Sequence, residues 1–481
     1  MNQEKKIRLP KFYEALILSL SLVSILLLSV IVFKVEIQLA LFICIIISTA
    51  YAMFLGHKWE TIENWMKKGI GDILIAVLIL LTIGMVIASW IASGTIPYII
   101  YIGLKLISPK FFLLSACLVC SFMSIATGSS WSAAGTIGIA FMGIGAGLGI
   151  NPAMTAGAIV SGCYFGDKQS PFSDTTNLAS ALSGTTLFEH MSSMLWSTLP
   201  AYIITLVIYT ILGFMNAKTA IDPATVNVYL DNLAANFNLS PVLLFPIVIL
   251  VFVVVKKSPA LPGIVTSAVV GAIFAMVFQG DSFFEVGTYM FEGFSISTGV
   301  ADIDRLLNRG GLFSMLWTVS FYFMAVMLGS VLDETKVLAV ILEKLTSVTK
   351  SVKTLIPTTL LSSFAMCAFT GSLESAMLIT SRLFAPAYDD LNLDRKVLSR
   401  SLEDSGTMMC SIIPWNSNGV YMATTLGVAT LSYAKYAFLA WLTPAVSIFL
   451  AFTGIGIFYK ATEKHNQKKN EKIIAAEAKG Y

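Results

Sequence analysis

Charge is scarce in this 481-residue chain: only 12% of residues are Asp, Glu, Lys or Arg, whereas 56% are hydrophobic. A soluble globular domain carries about twice that share of charge, so the balance excludes one and leaves a polytopic membrane protein. A basic patch is also missing. The 31 Lys and Arg residues offset 28 Asp and Glu to a net charge of +3, and they gather at the termini and in short loops, which argues against a nucleic-acid partner. Cysteine supplies no framework, because all six copies (Cys44, Cys117, Cys120, Cys163, Cys367, Cys410) lie in apolar segments, where a free thiol packs as a small hydrophobe. Cys117 and Cys120 form a CxxC without the second pair or nearby histidine that zinc needs. Histidine is rarer still, with three copies (His57, His190, His465) that the sequence places in a loop, at the start of a span and in the tail. None is well placed for a proton relay or as the base of an intramembrane serine hydrolase, so the chain reads as no enzyme.

What is abundant is apolar sequence long enough to cross about 30 Å of hydrocarbon. Such runs occupy 12–33, 37–55, 73–93, 191–214, 241–255 continuing to 258–279, 312–332 and 433–459. Two further regions, 95–185 and 335–430, hold shorter apolar pieces rich in Gly, Ser and Thr. Together they predict an all-α polytopic membrane protein with about 10–13 transmembrane segments. The first run follows the basic leader Lys5, Lys6, Arg8 and Lys11 and is too long for a signal-peptide core, so it is an uncleaved span. Positive charge in the leader, in the loop 56–72, at Lys256-Lys257 and in the tail places both termini and that loop in the cytoplasm and 216–240 outside.

The two irregular regions repeat one another. Thr127-Gly128-Ser129 matches Thr370-Gly371-Ser372 at an offset of 243 positions (370 minus 127), and the same offset brings Ser132-Ala133 to Ser375-Ala376, Pro171-Phe172 to Pro414-Trp415 and Gly184 to Gly427. The matches are helix breakers and small polar residues rather than abundant leucines. Non-helical backbone survives at membrane depth only inside protein or facing water. Two halves with a Gly-Ser tip and a later Pro-centred break therefore predict two inverted-topology repeats with re-entrant hairpins and discontinuous helices. The expected division is 1–72, N-terminal spans and a cytoplasmic loop; 73–214, the first repeat, with its tip at 127–133 and its break at 166–177; 215–311, an extracellular segment and connecting spans; 312–459, the second repeat, with its tip at 370–376 and its break at 412–419; and 460–481, a cytoplasmic tail. Between them, FMGIGAGLGI pairs Gly143 with Gly147 and Gly145 with Gly149, a spacing that favours close helix packing.

The first break reads GDKQSPFSDTTN. An acid at mid-membrane costs on the order of 3 kcal/mol even on lenient scales, so a carboxylate here is a functional candidate. Pro171 removes a donor and frees a carbonyl four residues back, and a hard monovalent cation wants oxygen ligands. The candidates are Asp167, Ser170, Ser173, Asp174, Thr175 and Asn177 in this break; Thr127, Ser129, Thr370 and Glu374 at the tips; and Asn416 and Asn418 in the second break. Asp174 and Asp167 are the expected transient Na+ ligands. Sodium and a proton would compete for such a desolvated carboxylate, which suffices for exchange if the site opens to one side at a time. Blander readings stay open: an Asp167-Lys168 ion pair, although neighbours on a helix point apart; a snorkelling Arg382; and Glu403-Asp404 at an interface.

The segments ATGSSWSAAGTIG, GAIVSGCYFGDKQSPFSDTTNLAS, TGSLESAM and IIPWNSNG resemble the NhaC-type sodium/proton antiporters of bacteria, over roughly 60 to 460. The resemblance implies an inner-membrane, multi-pass antiporter with no cofactor beyond transported Na+ and H+. Its motif carries over Asp167, Ser170, Pro171, Ser173, Asp174, Thr175, Thr176 and Asn177. The same family holds proteins that look like malate/lactate exchangers or amino-acid carriers, so a small organic anion or amino acid stays open as a partner, as does a homodimer. A channel would need a continuous pore, whereas opposed hairpins enclose an occluded site.

Overall fold

The structure is a computed structural model that describes residues 7–216, 223–256, 260–346 and 349–460. Lys5, Lys6, Lys257, part of the 216–240 segment and the tail from 461 onward, on which the charge reading also drew, lie outside the described residues. Among the described residues regular structure is helical, apart from one isolated bridge between Leu393 and Tyr459. Hydrocarbon dictates this, because a helix satisfies its backbone groups within its own segment.

Among the described residues seven helices are long and apolar enough to cross a membrane: Ile37–Phe54, Leu74–Ala92, Pro109–Thr127, Leu187–Asn216, Leu261–Gln279, Leu312–Glu334 and Val352–Thr370. The pair Val226–Asn236 and Pro241–Val253, bent by 93°, would add an eighth, and Phe12–Leu27, Thr95–Leu106 and Phe438–Thr453 are shorter apolar helices. The chain is a multi-pass membrane protein. Pro109–Thr127 and Val352–Thr370 fall where the sequence suggested only short apolar pieces. Their hydroxyls hide the length, although several turn back onto their own helix: Ser121 Oγ donates to the Cys117 carbonyl at 2.7 Å, and Thr359 Oγ1 to that of Leu355 at 2.9 Å. The expected 56–72 loop is mostly the helix Trp59–Asp72, laid so tightly on the helix Leu312–Glu334 that a Cβ on Gly69 would sit 2.1 Å from the Ser330 hydroxyl.

Helix boundaries in the two irregular regions recur at the 243-residue offset. Helices end at Thr127 and Thr370, resume at Ser130 and Leu373, start again at Pro152 and Arg395, and run over Asp174–Ser183 and Ser417–Leu426. Tertiary contacts recur with them. Ser124 Oγ donates to the Cys163 carbonyl at 2.6 Å, and 243 positions on Cys367 Sγ contacts the Gly406 carbonyl at 3.7 Å. Gly128, at φ 66°, has the Phe172 backbone 2.7 Å from where a Cβ would be, and Gly371, at φ 65°, faces the Trp415 carbonyl at 3.5 Å. Each tip therefore lies against the break of its own half.

Small residues permit that closeness. A Cβ on Gly162 or Gly166 would come 2.3 Å from the carbonyls of Cys117 or Ser121, so Phe112–Thr127 and Pro152–Lys168 pack backbone to backbone. Gly143 and Gly147 likewise admit Ile100 and Leu104. Gly149 differs from the sequence pairing: it lies beyond the helix end at φ 67°, a turn position rather than a packing one.

Candidate functional site

Asn151 caps the helix Pro152–Lys168 by accepting from the Ala153 N–H at 2.9 Å, and Pro152 occupies its first turn. At its far end the chain breaks at Ser170-Pro171, which Ser170 Oγ ties to the hairpin arm through the Ile125 carbonyl at 2.8 Å. Ser173 then caps the next helix, and Asp174 sits in its first turn, where a negative charge suits the helix dipole. The carbonyls that Pro171 would free are already taken: Thr176 Oγ1 contacts those of Asp167 at 3.4 Å and Lys168 at 3.3 Å, and the Ser170 N–H reaches Asp167 O at 3.1 Å.

This geometry cages one carboxylate. Asp167 is 5% exposed and accepts from Ser130 Oγ at 2.7 Å on Oδ2 and from Ser173 Oγ at 2.6 Å on Oδ1. One serine comes from the hairpin tip and the other from the helix cap beyond the break, so two elements that could separate hold one acid. A hydroxyl that donates still has lone pairs to offer. The cage therefore presents a negative oxygen pair and two neutral oxygens, a donor set suited to a hard cation. Thr175 Oγ1 lies 3.0 Å from Ser173 Oγ at the edge of this group.

Lys168 does not pair with Asp167. Its ammonium bonds Asp404, 236 positions away, and both side chains are fully buried. Ser197 Oγ donates to the same Asp404 oxygen at 2.8 Å. Glu403 is fully buried beside them, so Glu403 and Asp404 are core rather than interfacial. His190, which the sequence left at the start of a span, is also fully buried, with Nδ1 2.7 Å from Ser399 Oγ. Arg382 is exposed, as a snorkelling residue should be.

The remaining candidates divide into three groups. Asp174 and Asn177 are exposed, and Asn177 Nδ2 is spent on the Pro171 and Ser173 carbonyls, so neither joins the cage. Thr127, Ser129 and Thr370 stabilise the tips: Ser129 accepts from the Ser132 N–H, and Thr370 Oγ1 donates to the Met366 and Ser372 carbonyls. Glu374 is exposed and accepts from Ser372 Oγ at 2.7 Å. Asn416 anchors the second break to its own hairpin through the Cys367 carbonyl at 3.0 Å. Asn418 joins the halves, accepting from Trp131 Nε1 and Tyr164 OH of the first half at 2.8 Å each. Trp131 also stacks on Tyr421 at 4.4 Å, and Tyr421 OH donates back to the Trp131 carbonyl.

Sequence reasoning left Ser130 and Ser197 unnamed and Lys168, Glu403 and Asp404 unassigned. The available signal was intramembrane charge, which flagged the last three but not their partners.

Such a fold, all helix and multi-pass with a caged acid beside a buried ion pair, is that of a membrane transporter, and the comparisons give its kind. The model of the "Na+/H+ antiporter family" matches residues 162–455. The chain is 38% identical over 98% of its length to the "Malate-2H(+)/Na(+)-lactate antiporter" of Bacillus subtilis, covering all of that protein. It is 37% identical over 91% of its length to "Na(+)/H(+) antiporter NhaC" of Alkalihalophilus pseudofirmus, and 36% identical over 95% to "Arginine/ornithine antiporter ArcD" of Halobacterium salinarum, covering 94% of each. The chain belongs to the Na+/H+ antiporter family, a family of transporters rather than enzymes.

Proposed function

We propose that the protein is a secondary active transporter of the bacterial inner membrane that exchanges Na+ for H+ by alternating access, the two cations competing for buried carboxylates. The observation that carries this reading is the Asp167 cage. A carboxylate kept out of water between Ser130 and Ser173 is costly unless a cation or proton visits it. Sodium would bind Asp167 with those two hydroxyls; Asp174, exposed on the next turn, would serve its approach rather than its coordination. The two hairpin-and-break units act here as inverted halves with both termini cytoplasmic, and relative movement of tip and break opens the cage to one side at a time. Asn418 between Trp131 and Tyr164 couples the second half to that movement.

Proteoliposomes with an imposed pH gradient test the reading: added sodium dissipates the gradient in the wild type, and Asp167→Asn abolishes most of that response. An active preparation with no sodium-dependent proton movement contradicts it. A second reading makes a small organic anion or amino acid the principal cargo, and the names of two relatives favour it. Uptake of labelled malate, lactate or arginine would support it, and no uptake across that panel would count against it.

A further inference from the structure

Beside the caged carboxylate the packing leaves a charge imbalance. Five formally charged side chains sit together out of solvent: Lys168 and Arg400 against Asp167, Glu403 and Asp404, none more than 5% exposed. Four of them have at least one partner, although Arg400 Nε and Nη2 and Asp404 Oδ2 are left without one. Asp404 has the Lys168 ammonium and the Ser197 hydroxyl, Asp167 has its two serines, and Arg400 is anchored through Nη1 to the Gly456 carbonyl at 2.8 Å. Glu403 has none: among the described residues neither carboxyl oxygen makes a well-formed hydrogen bond, the hydroxyls of Thr407, at the end of the same π turn, and Thr175 lying near without closing one. A π turn strains a helix and is common where function needs it. An ionised carboxylate buried without a donor is among the most unfavourable arrangements a protein interior can hold.

The formal count explains how it is tolerated. Two cations against three anions leave the buried set at minus one. One sodium ion in the Asp167 cage brings the set to zero with Glu403 ionised, and so does one proton on Glu403 with the cage empty. Both together overshoot to plus one. We propose that Glu403 is the proton-carrying carboxylate of the exchange, competing with sodium through shared charge rather than for the same oxygens. This rests on the exchange reading above and deepens it. The proton joins one Glu403 oxygen from water on the open side, breaking no other bond, and returns to water on the opposite side, where sodium is taken up.

The ionisable groups around Glu403 are consistent with that role. Lys168 and Asp167 act on it from the helix Pro152–Lys168, and the other helices packed against its turn carry Asp174 (Asp174–Ser183), His190 (Leu187–Asn216), Cys367 (Val352–Thr370), and Glu374 and Tyr388 (Leu373–Asp390). Arg400, Asp404 and Cys410 share its own stretch, and the packed helix Phe438–Thr453 brings none. No hydrogen bond joins Glu403 to Asp167, Ser130 or Ser173.

Sodium binding to the purified full-length protein, measured against pH, tests this. In the wild type the apparent Kd for sodium rises as pH falls, by up to about tenfold per pH unit, the limit for one competing proton. Glu403→Gln is neutral at every pH, like the protonated state. It should bind sodium with the weak affinity that the wild type shows in acid, and keep only the pH dependence that sets in once Asp167 itself takes a proton. Glu403→Asp keeps a carboxyl and should keep the pH dependence, which also covers the case in which the glutamine variant does not fold. A Glu403→Gln variant with wild-type pH dependence, or a folded Glu403→Asp variant with none, overturns the proposal. Failure of the sodium reading itself appears earlier, as a wild type that binds no sodium at any pH.

Discussion

At position 130 the first hairpin tip carries a serine that donates to a buried aspartate; 243 residues on, the second tip carries Leu373, buried and apolar. The same offset turns Asp167 into Cys410, Lys168 into Ser411 and Ser173 into Asn416, while Trp131, stacked between the halves, becomes the exposed Glu374. Tip, left-handed glycine, cap and break are reproduced in both units, but only the first encloses a buried carboxylate between two hydroxyls. The second half contributes instead from the helix before its break, where Glu403 and Asp404 take the positions of Val160 and Ser161. A repeated backbone thus fixes where two irregular segments meet, and divergent side chains decide what the meeting place binds.

The comparison breaks most completely at its one caged acid. Asp167→Asn should reduce sodium-dependent transport on the order of 100-fold, matching loss of a buried charged interaction of about 3 kcal/mol, as measured by sodium flux in proteoliposomes. Lys168→Met leaves Asp404 buried without its counterion and should lower unfolding stability by about 3–5 kcal/mol; Asp404→Leu added to it should recover much of that, read from melting of the detergent-purified protein. Ser130→Leu grafts the second tip's residue onto the first. It should weaken apparent sodium affinity about tenfold, the worth of one hydrogen bond to a charged group, and lower folding stability as well, because the larger side chain enters a site where Ser130 is 3% exposed. Gly128→Ala should destabilise several times more than Gly184→Ala, because both glycines have positive φ but only the first would drive a Cβ into the Phe172 backbone. Asp174→Asn, exposed on the turn beyond the cage, should change sodium affinity less than about threefold, within the range of a surface charge.

Much of this frame was legible in the sequence, because the physics behind it is local or periodic. Apolar length marked most of the long spans but not Pro109–Thr127 or Val352–Thr370, Thr-Gly-Ser and Pro marked positions where helices end, and a charge in apolar surroundings marked Asp167 as a candidate. Pairings across hundreds of residues were not legible: no spacing rule joins Lys168 to Asp404, or Asn418 to Trp131 and Tyr164. Asp167 and Asp174 also read alike, seven residues apart on either side of Pro171. Only the fold distinguishes the acid that ends one helix inside the protein from the acid that begins the next helix facing outward. Ser130 was hidden for a related reason, since a serine beside a glycine turn reads as a cap, and here the cap is its neighbour Ser129.

A density map of the protein in sodium, compared with one in sodium-free acid, tests the central claim most directly. The account predicts a cation touching Asp167 and the hydroxyls of Ser130 and Ser173 in the first map and none in the second. An ion bound elsewhere, with Asp167 still closed on both serines in sodium, would contradict it.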